Sequence, residues 1–393
     1  MRVVGVISEY NPFHIGHAYQ LAQARRLAQA DAVVAVMSTV FTQRGDAAIC
    51  SPADRVKMAL SAGADVVFAL PSAWAVRDAE HFALGGVSIL AGLGCDAISF
   101  GTEATDLAPL REAARLLEDP PPAFHTAVQS RVQEGLPYPA AVSAAMEVIS
   151  PGCGALLEAP NSTLAVCYLR AMLRLGADMD VIPVQRQGSY HTTSLSDSLP
   201  SATALRSAIL RGDWPRIRSA MPEAAFRILM DAAAQGRIHR PEALDAALLY
   251  RLRTMSEAEY HALPDVSEGI EYRLMAAAQT RHSRTDLLQD AKTRRYPHAR
   301  LSRLSTHALL GVTDETLQSC GLPNAAWLLG FRKESRALLG HLKRKGNLPL
   351  LAKASDISRT EPWFVLESRA YDVWALGAGL PAGLALTQGV TVL

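Results

Sequence analysis

The sequence predicts an α/β fold, with a parallel sheet in the first half of the chain and an all-helical domain in the second half. Short apolar runs rich in β-branched residues alternate with helical patterns up to about Gly212, and helix-capping signals lie between them. Beyond Gly212 the strand signals stop and amphipathic helical patterns continue. Because strands that alternate with helices are joined by right-handed crossovers, we expect the strands to be parallel.

Five apolar runs are predicted to be strands, and they are Val3–Ile7, Ala32–Met37, Asp65–Leu70, Ala97–Phe100 and Val181–Val184. A helix between two of them is marked by Ser51 as the cap, Pro52 at the first helical position and Asp54 at the capping-box position. Prolines between residues 116 and 160 indicate a helical insertion over the sheet. We therefore expect a sheet domain over residues 1–212 and a helical domain over residues 213–393.

The composition excludes several classes of protein. A chain of 393 residues has room for two or three domains. Its net charge of +1 gives no general sign of a nucleic-acid or membrane partner, so any such partner must be recognised by local clusters. No apolar run is long enough for a membrane helix, and the N-terminal residues are not expected to form a signal peptide. Five scattered cysteines without CxxC spacing favour a reduced, cytoplasmic setting, and no pattern defines the oligomeric state.

The junction between the first strand and the following helix carries the strongest chemical signal. The chain runs off the strand through a turn at Asn11-Pro12 into a helix that starts near Gly16. A helix N-terminus at the carboxyl end of a strand favours phosphate, and Gly16 allows close approach to the backbone. His14 and His17 lie on one face of the first turn, where both imidazoles could donate hydrogen bonds to phosphate oxygens. The alternatives are that they only cap the helix or bind a metal.

Several motifs together resemble a known family. His14-Ile15-Gly16-His17 matches the signature of the HIGH superfamily of nucleotidyltransferases, whose domain is Rossmann-like. The wider set resembles the bacterial tRNA(Met) cytidine acetate ligase family in order and spacing, and it comprises Glu9 to His17, Gln43 to Asp46, Gly63 to Asp65, Phe100 to Glu103, Pro160 to Ser162, Gln185 to His191, Lys292 to Tyr296 and Leu329 to Phe331. This resemblance implies that ATP and acetate form acetyl-adenylate. The acetyl group then passes to the wobble cytidine of elongator tRNA(Met), giving N4-acetylcytidine.

The resemblance also implies an ATP site with His14 and His17 as its catalytic residues. The implied ATP-binding residues are Ile7, Ser8, Glu9, Tyr10, Asn11, Pro12, Phe13, Ile15, Gly16, Ala18, Tyr19, Gln20, Gly101, Asn161 and Arg186. Each of the last three also has a simpler interpretation. Gly101 could be a strand-end turn glycine, Asn161 a helix cap and Arg186 a surface arginine.

A second helix start resembles another nucleotidyltransferase signature. Ser201, Thr203 and Arg206 open a helix where hydroxyls, amides and an arginine could bind the β- and γ-phosphates of ATP. A plain N-cap role for Ser201 is the alternative. The chain departs from the family at Ala47, where a proline is common, and at Ala69, where an acid is usual. These departures affect the details of the acetate pocket.

Basic residues in the second half are the candidates for binding tRNA. The predicted contacts are Lys292, Arg294, Arg295, Tyr296, Arg300 and Arg303, within a basic region that also includes Arg281 and Arg284. Basic side chains neutralise phosphates, and an aromatic ring among them could stack on an unpaired base. A second cluster comprises Arg332, Lys333, Arg336, Lys343, Arg344 and Lys345. The alternative is a solvated helix face.

Two other classes of function stay open on the sequence alone. A small-molecule adenylyltransferase would use the same ATP chemistry on a metabolite, and a nucleotide-binding regulator would do no chemistry. The regulator would be expected to lack the histidine pair, which this chain retains. Mg²⁺ is expected to accompany ATP, and no aspartate cluster marks a metal site held by the protein.

Overall fold

The computed structural model describes residues 1–186, 201–293, 295–353, 356–358 and 360–393. All five predicted strands form, and they are β1 Val3–Ser8, β2 Ala32–Ser38, β3 Val66–Leu70, β4 Ala97–Thr102 and β5 Asp180–Gln185. They pair in parallel in the order β5-β4-β1-β2-β3. The predicted parallel sheet is confirmed. Its strands are mostly continuous apolar runs because helices cover both faces of a parallel sheet.

The helices of the first half are α1 Ile15–Leu27, α2 Pro52–Ser61, α3 Ser72–Ala75, α4 Ala79–Gly92, α5 Leu107–Glu118, α6 Pro122–Gln133, α7 Tyr138–Ile149, α8 Pro160–Leu175 and α9 Ala202–Arg211. The predicted start of α2 is confirmed, since the Ser51 side chain accepts a hydrogen bond from the Asp54 amide at 3.1 Å. Helices α6 and α7 occupy the predicted insertion and pack against each other.

The second half is mostly helical. Its helices are α10 Trp214–Ser219, α11 Glu223–Ala234, α12 Asp245–Thr254, α13 Glu257–His261, α14 Ile270–Thr280, α15 Arg284–Ala291, α16 His298–Leu310, α17 Asp314–Cys320, α18 Arg336–Lys345, α19 Pro362–Gly377 and α20 Leu384–Thr387. None of the described helices combines the length and the apolar character that crossing a bilayer requires.

The expectation that no strand follows Gly212 is wrong. Strand β6 (Ala326–Phe331) pairs antiparallel with β3 and extends the sheet, while the two-residue strands β7 (Leu350–Leu351) and β8 (Thr391–Val392) pair with β6. The run of β6 is apolar throughout and almost fully buried, so it lacks the alternation by which a half-exposed strand is recognised. The second half is therefore not entirely helical, and part of it completes the sheet.

Two hydrophobic cores are present among the described residues. The larger core surrounds the sheet and includes the helix α19 residues Trp363, Tyr371 and Trp374. The smaller core lies within α12 to α16, between Leu248 and Ala308. The helical unit that packs around its own core is thus shorter than the predicted second domain, because α19 packs in the larger core and β6 is a strand of the sheet. The domain boundary at residue 212 stays a prediction.

A buried histidine outside the histidine pair makes stability depend on pH. The ring of His239 is 1% exposed, stacks on Trp374 at 5.8 Å between ring centroids, and has no hydrogen-bond partner for either nitrogen within the described ranges. Burial lowers the pKa of His239 to about 4. Because an unfolded histidine keeps a pKa of about 6.5, the unfolded state binds more protons between these pH values. Stability is therefore lost as the pH falls through this window.

We expect the free energy of unfolding to fall by up to about 3 kcal/mol more in the protein than in a His239→Phe variant between about pH 7 and about pH 4. Denaturant titrations at several pH values measure this difference. His282→Phe, at an exposed histidine, is the matched control. Equal pH dependence in the protein and in His239→Phe would contradict the assignment.

Candidate active site at the end of the first strand

The junction between β1 and α1 lies in the middle of the sheet, where β1 runs between β2 and β4. Internal hydrogen bonds fix its backbone. The Asn11 side chain is buried and its Oδ1 accepts from the Ile49 amide at 2.8 Å. Arg206 Nη1 donates to the Asn11 carbonyl at 2.9 Å. The predicted strand, turn and helix are confirmed, and the turn holds the start of α1 at the carboxyl edge of the sheet.

His14 and His17 form a reciprocal cap at the start of α1. The amide of Gly16 donates to His14 Nδ1 at 3.1 Å, and the amide of His14 donates to His17 Nδ1 at 3.2 Å. Because each Nδ1 accepts, each neutral imidazole carries its proton on Nε2. Neither Nε2 has a hydrogen-bond partner among the residues that the structure describes. Both histidines thus cap the helix, and the capping leaves two N–H donors for a ligand.

The two imidazoles are neutral at physiological pH. Their rings stack with centroids 3.7 Å apart and planes 23° from parallel. Burial lowers the pKa of His14 to about 3, and the positive charge of Arg186 adds to this effect. Burial, His14 and Arg186 together hold the pKa of His17 well below its usual range. The pair therefore presents hydrogen-bond donors without a net charge.

Aromatic side chains support the pair from beneath. Tyr10 and Phe13 are buried, and their rings lie 4.9 and 5.4 Å from that of His17. Gly16 leaves room for His14, since a Cβ at Gly16 would lie 2.9 Å from His14 Cε1. Tyr10 and Phe13 therefore position His17 from the interior, and any contribution of theirs to an ATP site is indirect.

The remaining predicted residues of this segment lie along the same junction. Pro12, Ile7 and Ser8 are buried, whereas Ile15, Ala18, Tyr19 and Gln20 are half-buried on the first turns of α1. Glu9 is also half-buried, and its Oε1 accepts from the Gln43 amide at 2.5 Å. Burial raises the pKa of the Glu9 carboxyl, although this hydrogen bond and the charges of Arg206 and Arg44 oppose the rise.

A polar chain of side chains lies at the ends of β4 and β5. Arg186 Nη1 donates to Asn161 Oδ1 at 3.1 Å, and Asn161 Nδ2 donates to Glu103 Oε1 at 2.5 Å. Helix α8 has Ala159 at its N-cap position, so Asn161 does not act as the cap. A Cβ at Gly101 would meet no atom of the described structure within 4 Å, so the space above the end of β4 is open. The charge of Arg186 acts on both imidazoles, and Asn161 contacts Arg186.

Sequence reasoning assigned no role to Glu103. The position of Glu103 directly after the strand that carries Gly101 could have marked it as a candidate site residue. Its contact with the first turn of α8 is visible only in the folded structure. The predicted stretch from Gln187 to His191 lies outside the described residues, as does residue Arg294.

The second helix start also reaches the junction. Ser201 caps α9, because its Oγ accepts from the Ala204 amide at 3.2 Å. Arg206 Nη2 donates to Thr203 Oγ1 at 3.1 Å while its Nη1 holds the Asn11 carbonyl. Ser201 thus does act as an N-cap, and its part in an ATP site stays a prediction. The N-terminus of α9 is anchored next to the histidine turn, as a phosphate-binding role would also require.

The predicted tRNA contacts divide into exposed and buried residues. Lys292 and Arg295 are exposed, and Arg295 Nε lies 3.9 Å from Glu268. Arg300 is half-buried and donates to the Asp265 carbonyl at 2.7 Å. These side chains lie at the surface of the helical unit, which is compatible with the prediction.

Two of the predicted tRNA contacts are corrected by the structure. Tyr296 is buried and its hydroxyl donates to the Glu268 carbonyl, so its ring cannot stack on a base. Arg303 is buried, with its Nε 3.8 Å from Asp265. The physical reason is that both side chains are enclosed by the fold, Tyr296 in the core of the helical unit and Arg303 beside Asp265, which a run of basic letters does not reveal. Arg284 is also engaged internally, since its Nη2 donates to the Gly45 carbonyl at 3.0 Å.

The second basic cluster lies at the amino ends of the parallel strands. Lys345 Nζ donates to Asp96 Oδ1 at 2.5 Å, and the amide of Arg332 donates to the Asp65 carbonyl at 2.9 Å. Asp96 and Asp65 directly precede β4 and β3. Because the histidine pair lies at the carboxyl ends of the strands, these basic residues face away from it.

Comparisons with known proteins agree with this geometry. A family model described as HIGH Nucleotidyl Transferase matches residues 1–381. The fold and the paired histidines at the end of the first strand therefore define a nucleotidyltransferase of the HIGH type. Individual relatives also test the resemblance to the tRNA(Met) cytidine acetate ligase family.

A tRNA(Met) cytidine acetate ligase from Geobacillus sp. (strain WCH70) is 35% identical over 383 residues, which cover 95% of this chain and 94% of that protein. The tRNA(Met) cytidine acetate ligase of Acetivibrio thermocellus is 33% identical, and both chains are covered to 100%. The crystal structure of Thermotoga maritima TmcAL bound with alpha-thio ATP is 28% identical, with a TM-score of 0.90 and 100% of both chains covered. The chain belongs to the tRNA(Met) cytidine acetate ligase family.

Proposed function

We propose that this protein is a ligase that activates acetate with ATP and transfers the acetyl group to the wobble cytidine of elongator tRNA(Met). The observation that carries the proposal is the match, over nearly the full length of both chains, to curated tRNA(Met) cytidine acetate ligases. The ATP analogue in the Thermotoga maritima structure supports nucleotide binding by this fold. The reaction would take place in the cytoplasm, where ATP and tRNA are available.

The proposed ATP site comprises the junction from Ile7 to Gln20 together with Gly101, Asn161, Arg186, Ser201, Thr203 and Arg206. Its donors suit a phosphate chain. The Nε2–H groups of His14 and His17 would bind oxygens on which negative charge develops, and donors fixed in advance stabilise such charge without reorganisation. Arg186 would add a guanidinium that can bind two phosphate oxygens.

In the first step an acetate oxygen attacks the α-phosphorus in line. The new oxygen–phosphorus bond forms as the bond to the β-phosphate bridge breaks, and pyrophosphate leaves. In the second step the exocyclic amine of cytidine attacks the acetyl carbonyl carbon, AMP leaves with the electron pair, and the amine loses a proton. His14 and His17 would act in the first step.

Mg²⁺ is proposed to accompany the triphosphate. In the part of the chain that the structure describes, no group of three or more His, Cys, Asp or Glu side chains is arranged to hold a metal ion. We propose that ATP and water supply the oxygen ligands that Mg²⁺ prefers. At this site the metal would neutralise the charge of the departing pyrophosphate.

The tRNA is proposed to bind across the helical unit, with contacts from Lys292 and Arg295, from Arg300 and from Arg294. The exposed positions of Lys292 and Arg295 support this assignment. A splayed-out wobble base would present its amine to the adenylate. Tyr296 and Arg303 are left out of this proposal because they are buried.

Incubation with ATP, radiolabelled acetate and bulk bacterial tRNA tests the proposed function. We expect label in one nucleoside, N4-acetylcytidine, of one tRNA species. Label that reaches acetyl-adenylate but no RNA would contradict the proposal and favour a small-molecule adenylyltransferase.

A double variant tests the tRNA surface. We expect Lys292→Ala with Arg295→Ala to weaken tRNA binding and to reduce the slope of log affinity against log salt by roughly 1 to 2, because two phosphate contacts are lost. Acetyl-adenylate formation should not change. The matched control is Lys57→Ala with Arg111→Ala, at exposed positions on the sheet half. A salt slope equal to that of the control would place the RNA elsewhere.

A further inference from the structure

Glu103 contacts the first turn of α8 from a distance of 58 to 59 residues along the chain. Its Oε2 accepts from the Ser162 amide at 2.8 Å and from the Ser162 hydroxyl at 2.9 Å. Its Oε1 accepts from Asn161 Nδ2 at 2.5 Å. Because Ala159, the N-cap residue, offers no side-chain cap, Glu103 supplies the missing acceptor to this helix start.

The two oxygens of Glu103 have different consequences. The hydrogen bonds from Ser162 to Oε2 cap the start of α8. The hydrogen bond from Asn161 to Oε1 instead fixes the orientation of the Asn161 amide, so that its oxygen points away from Glu103. With Nδ2 directed at the carboxylate, Oδ1 is directed at Arg186 Nη1, 3.1 Å away. A carboxylate only accepts hydrogen bonds and a guanidinium only donates them, so the amide between them has a single favourable orientation.

The chain of contacts ends beside the histidine pair. Arg186 directly follows β5, and its amide donates to the Thr102 carbonyl at 3.0 Å. Its positive charge lies near enough to His14 and His17 to disfavour their protonation. A change at Glu103 would therefore reach the histidine pair through Asn161 and Arg186.

We propose that Glu103 is a positioning residue of the ATP site, which orients Asn161 and through it the guanidinium of Arg186. The inference rests on the proposed function, because it assumes that Asn161 and Arg186 bind ATP. In this arrangement Glu103 affects nucleotide affinity through Oε1, which fixes the orientation of the Asn161 amide and thereby its hydrogen bond with Arg186. The capping of α8 is a separate role, which Oε2 performs.

The variant Glu103→Gln separates the two tasks. Its side-chain oxygen can still accept from Ser162 and keep the cap, but its amide group would face Asn161 Nδ2. Asn161 must then turn its oxygen toward the introduced amide group and its NH₂ toward the Arg186 guanidinium, which sets donor against donor. Combining Glu103→Gln with Asn161→Asp restores an acceptor toward both neighbours.

The experiment measures the equilibrium binding of a nonhydrolysable ATP analogue, together with KM for ATP, kcat and the midpoint of thermal unfolding. We expect Glu103→Gln to weaken analogue binding and to raise KM by about tenfold or more, since charge-assisted hydrogen bonds are the strong ones. We expect a smaller change in kcat and a thermal midpoint close to that of Glu112→Gln. The latter is a matched control at a half-exposed carboxylate paired with Arg115.

The double variant should recover a large part of the lost affinity, which a purely structural cap would not do. Unchanged binding in Glu103→Gln, or a double variant that binds no better than Glu103→Gln, would overturn the inference while leaving the proposed function intact. Absence of analogue binding by the unaltered protein would contradict the proposed function itself, and this inference with it.

Discussion

Replacement of His14 or His17 by alanine is expected to slow acetyl-adenylate formation by about a hundredfold or more. Each replacement removes one Nε2–H donor from the pair whose rings stack 3.7 Å apart at the start of α1. Because burial keeps both imidazoles neutral, the loss concerns a directed hydrogen bond to the developing charge and not a loss of net positive charge. Acetate-dependent exchange of pyrophosphate into ATP measures this step without tRNA.

A further variant separates catalysis from helix capping. His14→Asn keeps a good N-cap residue at the start of α1 while removing the Nε2 donor, so it should preserve stability and lose activity. His125→Ala is the matched control, because His125 is exposed on α6. A rate of adenylate formation in His14→Asn equal to that of the control would show that the histidine only caps the helix.

Replacement of Arg55 by alanine is expected to lower the free energy of unfolding by at least about 3 kcal/mol, at about 1 kcal/mol or more for each buried carbonyl left without a partner. The Arg55 side chain, on α2, is fully buried. Its guanidinium donates to three carbonyls, those of Glu9 at 2.7 Å, Ser38 at 2.8 Å and Cys50 at 3.2 Å. Since Glu9 begins the turn that leads to His14, we also expect weaker nucleotide binding.

Denaturant unfolding of Arg55→Ala and of the control Arg115→Ala measures this effect. Arg115 is an exposed arginine whose ion pair with Glu112 lies within one helix, and such pairs contribute little to stability. A loss in Arg55→Ala no greater than in the control would contradict the role of Arg55 as the link between the ends of β1 and β2.

Local patterns predicted the parallel part of the fold well. Each of β1 to β5 is a compact apolar run followed by a helix, and capping signals such as Ser51 and Ser201 mark where helices begin. Strand β6 was missed because its pairing with β3 joins residues about 260 positions apart, and no local signal encodes that contact. An uninterrupted apolar run is compatible with a buried helix or a buried strand. In this chain the run is a strand because it pairs with β3 at the edge of the parallel sheet.

The geometry of the candidate site was predicted in part for the same reason. The histidines and their helix start are contiguous in sequence, so their shared face follows from helix geometry. The role of Glu103 depends on two oxygens that meet α8 across the fold, which spacing cannot show. The burial of Tyr296 and Arg303 likewise depends on which face of their segment packs inward.

In the proposed function, the Nε2 atoms of His14 and His17 receive the phosphates of ATP. A crystal structure of this chain with a nonhydrolysable ATP analogue tests it most directly. We expect phosphate oxygens within about 3 Å of both Nε2 atoms, a normal hydrogen-bond distance. Nucleotide bound away from the start of α1, or phosphates out of reach of both imidazoles, would contradict this role of the histidine pair.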